Sequence, residues 1–185
     1  MSDPFETLSG TLDEVWRRLS RGVVEKRAPA RHPVMATVGA EGAEARIVVL
    51  RQAKRSKNRI EVHSDLRAAK VDELRANPQA SLVVWEPRAK LQIRLRVRFE
   101  VLEGDAVVPY WQAMPDPART LYGGTPAPGT PIAQPQDHVA GAKDGAYCVL
   151  RGTVVEVETL QLGLPRHRRA VFRAADGWQG AWRAP

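Results

Sequence analysis

The feature that most constrains the fold is a strict alternation of apolar and polar residues over positions 91–101. One set of alternate positions is apolar, namely Leu91, Ile93, Leu95, Val97, Phe99 and Val101, and the other is polar, namely Gln92, Arg94, Arg96, Arg98 and Glu100. Successive side chains of a strand point to opposite faces. The pattern therefore predicts a long strand that buries one face and presents a strongly cationic other face.

The rest of the chain repeats shorter versions of this pattern. Alternation or short apolar runs predict further strands at 34–38, 46–51, 59–64, 80–85, 145–158, 168–174 and 177–183. Turn signals at Gly39–Gly42 and Asp176–Gly177 predict hairpins. Helical spacing predicts helices at about 12–26, 65–77, 107–114 and 116–122. About seven antiparallel strands with peripheral helices favour a mainly β fold, a closed or split antiparallel β-barrel, and 185 residues suit one domain spanning 1–185.

The net charge of +7 and the pI near 10.1 predict an anionic partner. Nucleic acid and a phosphorylated cofactor both satisfy this requirement. The arginines Arg94, Arg96 and Arg98 on one strand face predict either an interface or salt bridges to neighbouring strands. Proteins that bind single strands usually stack bases on exposed aromatics beside the basic groove. Phe99 has the parity of the apolar face, so nucleic acid is the less favoured partner.

Apolar runs, histidines and cysteines are few in this sequence, and this bears on its location and on metal binding. No apolar run approaches the ~20 residues of a membrane helix, and the acidic start Met1–Glu6 is unlike a signal peptide, which predicts a cytoplasmic protein. The four histidines are scattered, so no metal site is predicted. Cys148 is the only cysteine and lies in an apolar run, which favours a buried small hydrophobe over a nucleophile.

The stretch from Arg46 to Lys70 has the composition of a phosphate site. Arg46 and Arg51 end a short strand, Ser64 or Asp65 is placed to cap the following helix, and its first turns carry Arg67 and Lys70, as the sequence shows. Helix N-termini offer free N–H groups to anions, and cations complete the neutralisation. An extended chain separates Arg46 from Arg51 by roughly 16 Å, about the length of a mononucleotide.

The order of short motifs resembles a known family. Arg-Ile-Val-Val-Leu-Arg at 46–51, His-Ser-Asp-Leu-Arg at 63–67, Lys70, Asn77-Pro78, Trp85, Leu-Gln-Ile-Arg at 91–94 and the terminal Trp-Arg-Ala-Pro resemble the FMN-binding split barrels related to pyridoxamine 5'-phosphate oxidase. The resemblance implies FMN bound non-covalently at a homodimer interface. It places flavin contacts at Arg46, Ile47, Val48, Val49, Leu50, Arg51, His63, Ser64, Arg67, Lys70, Gln92 and Arg169.

The resemblance is weaker at the substrate residues. Tyr110 and His167 match, whereas Met114, Ala118 and Pro165 stand where the family has an arginine, a serine and an arginine. Ala69 replaces a common phosphate arginine, and Leu160 replaces a tryptophan of the flavin pocket. An FMN-dependent oxidoreductase acting on a small molecule other than pyridoxamine phosphate is therefore expected. The substrate, the electron donor and the choice of FMN over deazaflavin or haem stay open, and the alternatives are a non-catalytic flavin binder and a basic nucleic-acid-binding barrel.

Overall fold

The computed structural model describes residues 3–163 and 165–185. Its helices are α1 (Leu8–Val24), α2 (Ala69–Ala76), α3 (Val108–Gln112) and α4 (Asp116–Arg119). Its strands are β1 (Val34–Gly39), β2 (Gly42–Ile47), β3 (Leu50–Lys54), β4 (Arg59–Asp65), β5 (Gln79–Glu86), β6 (Leu91–Leu102), β7 (Leu121–Tyr122), β8 (Gly141–Ala142), β9 (Tyr147–Gln161), β10 (Arg168–Arg173) and β11 (Ala181–Arg183).

The long strand β9 is the centre of a nine-stranded antiparallel sheet. Strand β6 pairs with one edge of β9 over 149–161. The other edge is shared, because β4 pairs with 147–153 and β10 pairs with 156–161. The sheet runs in the order β11-β10-β9-β6-β5-β1-β2, with β3 attached to β4, and the described strands do not close into a ring. This architecture is an open, split form of the predicted antiparallel barrel.

The alternation in β6 builds the core as predicted. Leu91, Ile93, Leu95, Val97 and Phe99 are at most 4% exposed. Burying such a side chain contributes about 1.5 to 3 kcal/mol relative to leaving it in water, so the strand is strongly anchored. On the opposite face Arg94 pairs with Glu158 and Arg96 with Glu156, both acids being on β9.

The first helix begins four residues earlier than predicted. Thr7 is its cap, because the Thr7 hydroxyl accepts a hydrogen bond from the Gly10 amide at 3.0 Å. Thr11 lies inside the helix and donates its hydroxyl to the Thr7 carbonyl. Leu12, Val15 and the residues that follow them at helical spacing face the core, as expected.

Two predictions around the phosphate stretch are wrong in their boundaries. The single strand predicted from Arg46 to Arg51 is divided between β2 and β3. At the division the Val48 amide donates to the Pro33 carbonyl instead of to a residue of a neighbouring strand. The helix predicted from about 65 begins at Ala69, with Ala68 at its cap. Ser64 and Asp65 remain in β4, where backbone pairing with β9 fixes them before the helix can start.

No helix in the described part of the chain is long and apolar enough to cross a membrane. Met1 and Ser2, the first residues of the acidic amino-terminal stretch, lie outside the described residues. Cys148 is fully buried, and burial raises the pKa of its thiol to about 12. This confirms the expectation of a small buried hydrophobe.

Candidate functional site

Lys70 and Ser64 form the centre of the first group of predicted flavin contacts. The Lys70 ammonium donates to the Ser64 hydroxyl at 3.3 Å, and Ser64 is only 5% exposed. Burial, reinforced by the nearby charge of Arg46, lowers the pKa of Lys70. No carboxylate among the described residues forms an ion pair with Lys70. A half-buried, unpaired ammonium beside a hydroxyl is suited to binding an anion.

The two arginines predicted for the phosphate are already engaged within the chain. Arg46 forms an ion pair with Glu73 of α2 at 2.9 Å and also contacts Thr37. Arg67 binds both oxygens of the Asp65 carboxylate, at 2.9 and 2.7 Å. These contacts hold the two guanidinium groups at the edge of the Lys70 site and neutralise part of their charge.

Asp65 connects this site to the loop that follows β7. Its buried carboxylate accepts hydrogen bonds from the Arg67 amide and the Gly123 amide, each at 2.9 Å. Burial alone would raise the pKa of Asp65, but these bonds and the Arg67 charge lower it overall. Arg67 also donates to the Gly124 carbonyl at 3.0 Å. The Asp65 carboxylate therefore fixes both the turn before α2 and the start of the loop that follows β7.

His63 lies on the opposite face of β4 from Ser64, in an aromatic cluster. Its ring meets the edges of Tyr110 and Tyr147 at centroid distances of 6.0 and 5.3 Å. Burial, and then the charge of Arg51, lower the pKa of His63 to about 4, so the imidazole is neutral near pH 7. The buried Nε of Arg51 and the Tyr147 hydroxyl have no hydrogen-bond partner among the described residues. These are polar groups that a ligand or water can satisfy.

The chain between β2 and β3 mixes exposed and buried side chains. Ile47 is 68% exposed, whereas Val48 and Leu50 are 6% and 1% exposed. Val49 is half-buried. Within this predicted run of contacts, Ile47 therefore lies at the surface while its neighbours pack inward.

The second group of predicted contacts is brought together by strand register. Gln92 of β6 and Arg169 of β10 lie directly opposite Leu160 of β9, one on each side. Trp85 of β5 is opposite Gln92 and is 47% exposed. Arg169 is paired with Glu158 at 2.8 Å. This end of the sheet is open to solvent and adjoins His167, whose Nδ1 accepts from the Gly163 amide at 3.2 Å.

The two groups lie at opposite ends of β9. Ser64 pairs with Cys148, whereas Gln92 and Arg169 pair with Leu160, twelve residues further along the same strand. At about 3.3 Å per residue this is roughly 40 Å along the strand. That stretch of strand is much longer than a mononucleotide of roughly 16 Å.

Comparison with known proteins identifies the family that this sequence matches. Residues 13–103 match the family model of the pyridoxamine 5'-phosphate oxidase FMN-binding domain. A pyridoxine/pyridoxamine 5'-phosphate oxidase 2 of Arabidopsis thaliana is 28% identical over 173 residues, covering 83% of this chain and 86% of the relative. Residues 13–103 therefore belong to the FMN-binding family of pyridoxamine 5'-phosphate oxidase.

Solved structures show the same fold. A pyridoxamine 5'-phosphate oxidase-related, FMN-binding protein of Nostoc punctiforme superimposes with a TM-score of 0.73 at 24% identity, covering 94% of this chain and 96% of the other. PhzG of Burkholderia lata, solved with tetrahydrophenazine-1-carboxylic acid, gives 0.71 at 15% identity, covering 95% and 92%. FMN is the cofactor that this family assigns to the chain, and the unpaired Lys70 ammonium beside Ser64 fits its phosphate.

Tyr110, the first of the two predicted substrate residues, makes its hydroxyl contacts within the chain. The Tyr110 hydroxyl is bound by Arg151 at 2.7 Å and lies 3.3 Å from Glu61, which also pairs with Arg151 at 2.8 Å. Glu61 is 1% exposed, whereas Tyr110 and Arg151 are half-buried, so the triad joins the interior to the surface. His167 is exposed and lies at the other end of β9 from Tyr110.

Sequence reasoning missed three residues that shape the site. Arg151 and Glu61 are 90 positions apart, and Tyr147 is 84 positions from His63, so no local pattern links them. The pairing of β4 with β9 brings them together. The signal in the sequence was a glutamate, Glu61, in one predicted strand and an arginine, Arg151, in another. The two residues can be recognised as a pair only when the register of β4 and β9 is known.

Proposed function

We propose that this chain is a cytoplasmic FMN-dependent oxidoreductase, a single domain over 1–185, that acts as a homodimer with FMN held non-covalently between two copies. The separation of the two contact groups along β9 carries this proposal. Each group alone is half a flavin site. A two-fold dimer can bring the Lys70 group of one copy to the Gln92 group of its partner, since the same surfaces meet twice in such an interface.

The outer face of the sheet supports a subunit interface. Val34 and Ile47 lie opposite each other on β1 and β2 and are 40% and 68% exposed. Trp85, 47% exposed, lies on the same face because Val83, two residues before it, is opposite Val34. Contiguous exposed apolar surface of this kind usually marks a contact with another molecule. The patch adjoins Gln92, so a copy seated on it would also cover the second contact group.

FMN, when bound, supplies the electron or hydride transfer, and the protein supplies binding, orientation and electrostatics. Lys70 and Ser64 are placed to hold the phosphate. Gln92, which lies on an open strand face, is placed to hydrogen-bond the edge of the ring system. His63 stays neutral near pH 7, so its ring can donate or accept a hydrogen bond without adding charge.

The substrate is a small molecule other than pyridoxamine phosphate. The Tyr110 hydroxyl, which the family uses for that substrate, is committed to Arg151 and Glu61. Met114, Ala118 and Pro165 replace further contacts to it. At roughly 1.5 to 3 kcal/mol for a charged hydrogen bond, two lost phosphate contacts weaken binding by about two to four powers of ten.

Subunit complementation tests the proposal directly. Lys70→Ala and Gln92→Leu chains are co-expressed with different affinity tags, and the doubly tagged dimer is isolated and titrated with FMN. If the two residues serve one flavin from different copies, the mixed dimer has one doubly altered site and one intact site. We expect half a wild-type equivalent of FMN per chain with wild-type affinity.

The matched control is a mixed dimer of Lys70→Ala with wild type. In that dimer one site is intact and the other lacks only the lysine, so two affinities are expected. Two weakened sites and no site of wild-type affinity in the Lys70→Ala and Gln92→Leu dimer would show that both residues act within one chain. A monomeric wild-type mass in saturating FMN, or a wild-type protein that stays colourless with micromolar FMN, would exclude the proposal.

A further inference from the structure

A second concentration of positive charge lies beside the first helix. A cavity of about 590 Å³ is formed where the end of α1 meets the turn between β5 and β6. Small-molecule sites usually measure about 300 to 1,000 Å³. The charged residues that line the cavity are Arg18, Arg21, Glu25, Arg27, Glu86 and Arg88. Four arginines and two glutamates leave the lining with a net charge of +2.

The cavity is separate from the proposed flavin site. Glu86 of β5 forms an ion pair with Arg18 of α1 at 2.8 Å, so its side chain lies on the face of the sheet that α1 covers. Its neighbour Trp85 is opposite Gln92 in the register of β5 and β6. Successive side chains of a strand point to opposite faces, so Gln92 lies on the other side of the sheet. None of the predicted flavin or substrate residues lines the cavity.

Both carboxylates of the cavity already have an arginine partner. The buried Glu86 belongs to the ion pair with α1, and Glu25 pairs with Arg21 at 2.8 Å. In the part of the chain that the structure describes, no carboxylate forms an ion pair with Arg27 or Arg88. These two arginines are exposed and lie on different turns of the chain. The net positive charge of the cavity therefore belongs to this pair.

Short turns fix the backbone of both arginines. Pro87–Ala89 forms one turn of 3-10 helix between β5 and β6, with the proline at its start. The turn that holds Arg27 follows α1 and is closed by the Ala28 amide, which donates to the Glu25 carbonyl at 3.1 Å. A site whose backbone is ordered beforehand loses less conformational entropy when a ligand binds.

The negative end of α1 is offset within the chain. Carbonyl groups at a helix C-terminus carry partial negative charge, which repels anions. Here the Arg31 guanidinium donates to the Val23 carbonyl at 3.0 Å and to the Gly22 carbonyl at 3.4 Å. Arg31 therefore neutralises this end of the helix, and Arg27 and Arg88 keep their charge for a ligand.

We propose that this cavity binds a small anion with two oxyanion groups, one held by Arg27 and the other by Arg88. A guanidinium binds a carboxylate or a phosphate through two parallel hydrogen bonds. Two guanidinium groups on separate turns suit a ligand with two such groups better than a single oxyanion. A nucleic-acid strand fits less well, because no aromatic residue lines the cavity on which a base could stack.

Calorimetric titration of the full chain with two pairs of anions tests the proposal. Pyrophosphate is compared with inorganic phosphate, and succinate with acetate, all at one ionic strength because salt screens exposed charges. We expect pyrophosphate or succinate to bind about tenfold or more tightly than its single-group counterpart, since it can contact both arginines. The pair of anions with the larger difference identifies the head group.

The proposed flavin phosphate site could also bind these probes. Each titration is therefore done with and without saturating FMN and is repeated on Lys70→Ala. Binding in the cavity should persist in all of these, including flavin-free protein, even if the proposed FMN function fails. Loss of binding in Lys70→Ala, or competition by FMN, would place the anion in the flavin site and overturn the proposal.

Variants of the two arginines identify the residues. Arg27→Gln and Arg88→Gln should each weaken the two-group anion about tenfold and affect the single-group anion much less. Arg88→Lys should recover part of the affinity, because lysine keeps the charge without the guanidinium fork. Arg166→Gln, which changes an exposed arginine outside the cavity, is the matched control and should change nothing.

Three further results would contradict the proposal. The first is that the two-group anions do not bind, or bind no better than the single-group anions. The second is binding that ignores both cavity arginines or falls equally in Arg166→Gln. The third is an oligonucleotide that binds through Arg27 and Arg88 when neither two-group anion does. Circular dichroism confirms the folding of each variant, and a lysine substitution serves where a glutamine variant does not fold.

Discussion

The two ends of β9 both carry predicted cofactor contacts but differ in burial and charge. At the β4 end Ser64 and Tyr147 are 5% and 1% exposed, and Lys70 is half-buried without an acidic partner. At the β10 end Trp182 is 43% exposed and Arg169 is already neutralised by Glu158. The chain completes the first half of its site by its own packing and leaves the second half at the surface.

The difference follows from what covers each end. The aromatic cluster of Tyr110, Tyr122 and Tyr147 packs with residues of α3 and around β7. Asp65 fixes the loop that follows β7. Beyond β10 the sheet ends with the short strand β11, and Arg168 of β10 also pairs with Asp3 at 2.8 Å. A cation held in low dielectric binds a phosphate strongly, whereas an exposed, paired one binds weakly. The proposal therefore assigns the phosphate contact to the buried end and the ring contact to the open end.

The largest expected effect is on stability at the buried end. Tyr147→Ala should lower the free energy of unfolding by about 3 to 5 kcal/mol, because it removes a fully buried ring. Tyr147→Phe removes only the unpartnered hydroxyl and should be close to neutral. At the open end Trp182→Ala should cost less than about 1 kcal/mol. Urea unfolding compares the three, and equal losses at the two ends would break the comparison.

Acid should destabilise the buried end through His63. Its pKa is about 4 in the folded chain and about 6.5 when unfolded, so the unfolded state binds more protons between these values. The free energy of unfolding contributed by this group is complete above pH 6.5 and falls by up to about 3 kcal/mol as the pH drops to 4. His63→Gln should flatten that part of the pH profile. An unchanged slope in His63→Gln would show that the ring is solvated.

Lys70→Ala should cost roughly 1.5 to 3 kcal/mol of FMN affinity, about ten- to a hundredfold, because a charged contact to the phosphate is lost. Riboflavin has no phosphate and should bind the variant as it binds wild type. Lys57→Ala, in an exposed turn, is the matched control. Flavin fluorescence quenching measures both ligands. An equal loss for riboflavin would contradict the phosphate assignment of the buried end.

The smallest effect is expected at Gln92, on the open end. Gln92→Leu should weaken FMN and riboflavin alike by about 1 kcal/mol, roughly fivefold, because a neutral hydrogen bond to the ring is lost. The same change should shift the flavin's reduction potential, since hydrogen bonds to the ring tune its electronics. Spectroelectrochemistry measures the shift. A loss confined to FMN would move Gln92 to the phosphate end of the ligand.

Local patterns predicted much of this molecule and failed at specific residues. The alternation in β6 predicted its buried face residue by residue, and the Gly39–Gly42 and Asp176–Gly177 turns occur where expected. The capping role of Ser64 or Asp65 was wrong, because pairing with β9 holds both in a strand. Arg67 remains a predicted phosphate contact, although the structure gives its guanidinium to Asp65.

The sequence alone determined the antiparallel β character, the apolar face of β6, the net positive charge and the resemblance to a family. Side-chain periodicity, charge and short motifs can all be read from the sequence without knowing the fold. Only the tertiary structure decided that Tyr110 contacts Arg151, that Asp65 fixes a loop 58 residues away, and that the two groups of predicted flavin contacts lie at opposite ends of β9. Each of these depends on strand register. Register is set by packing among distant segments, and no local pattern encodes it.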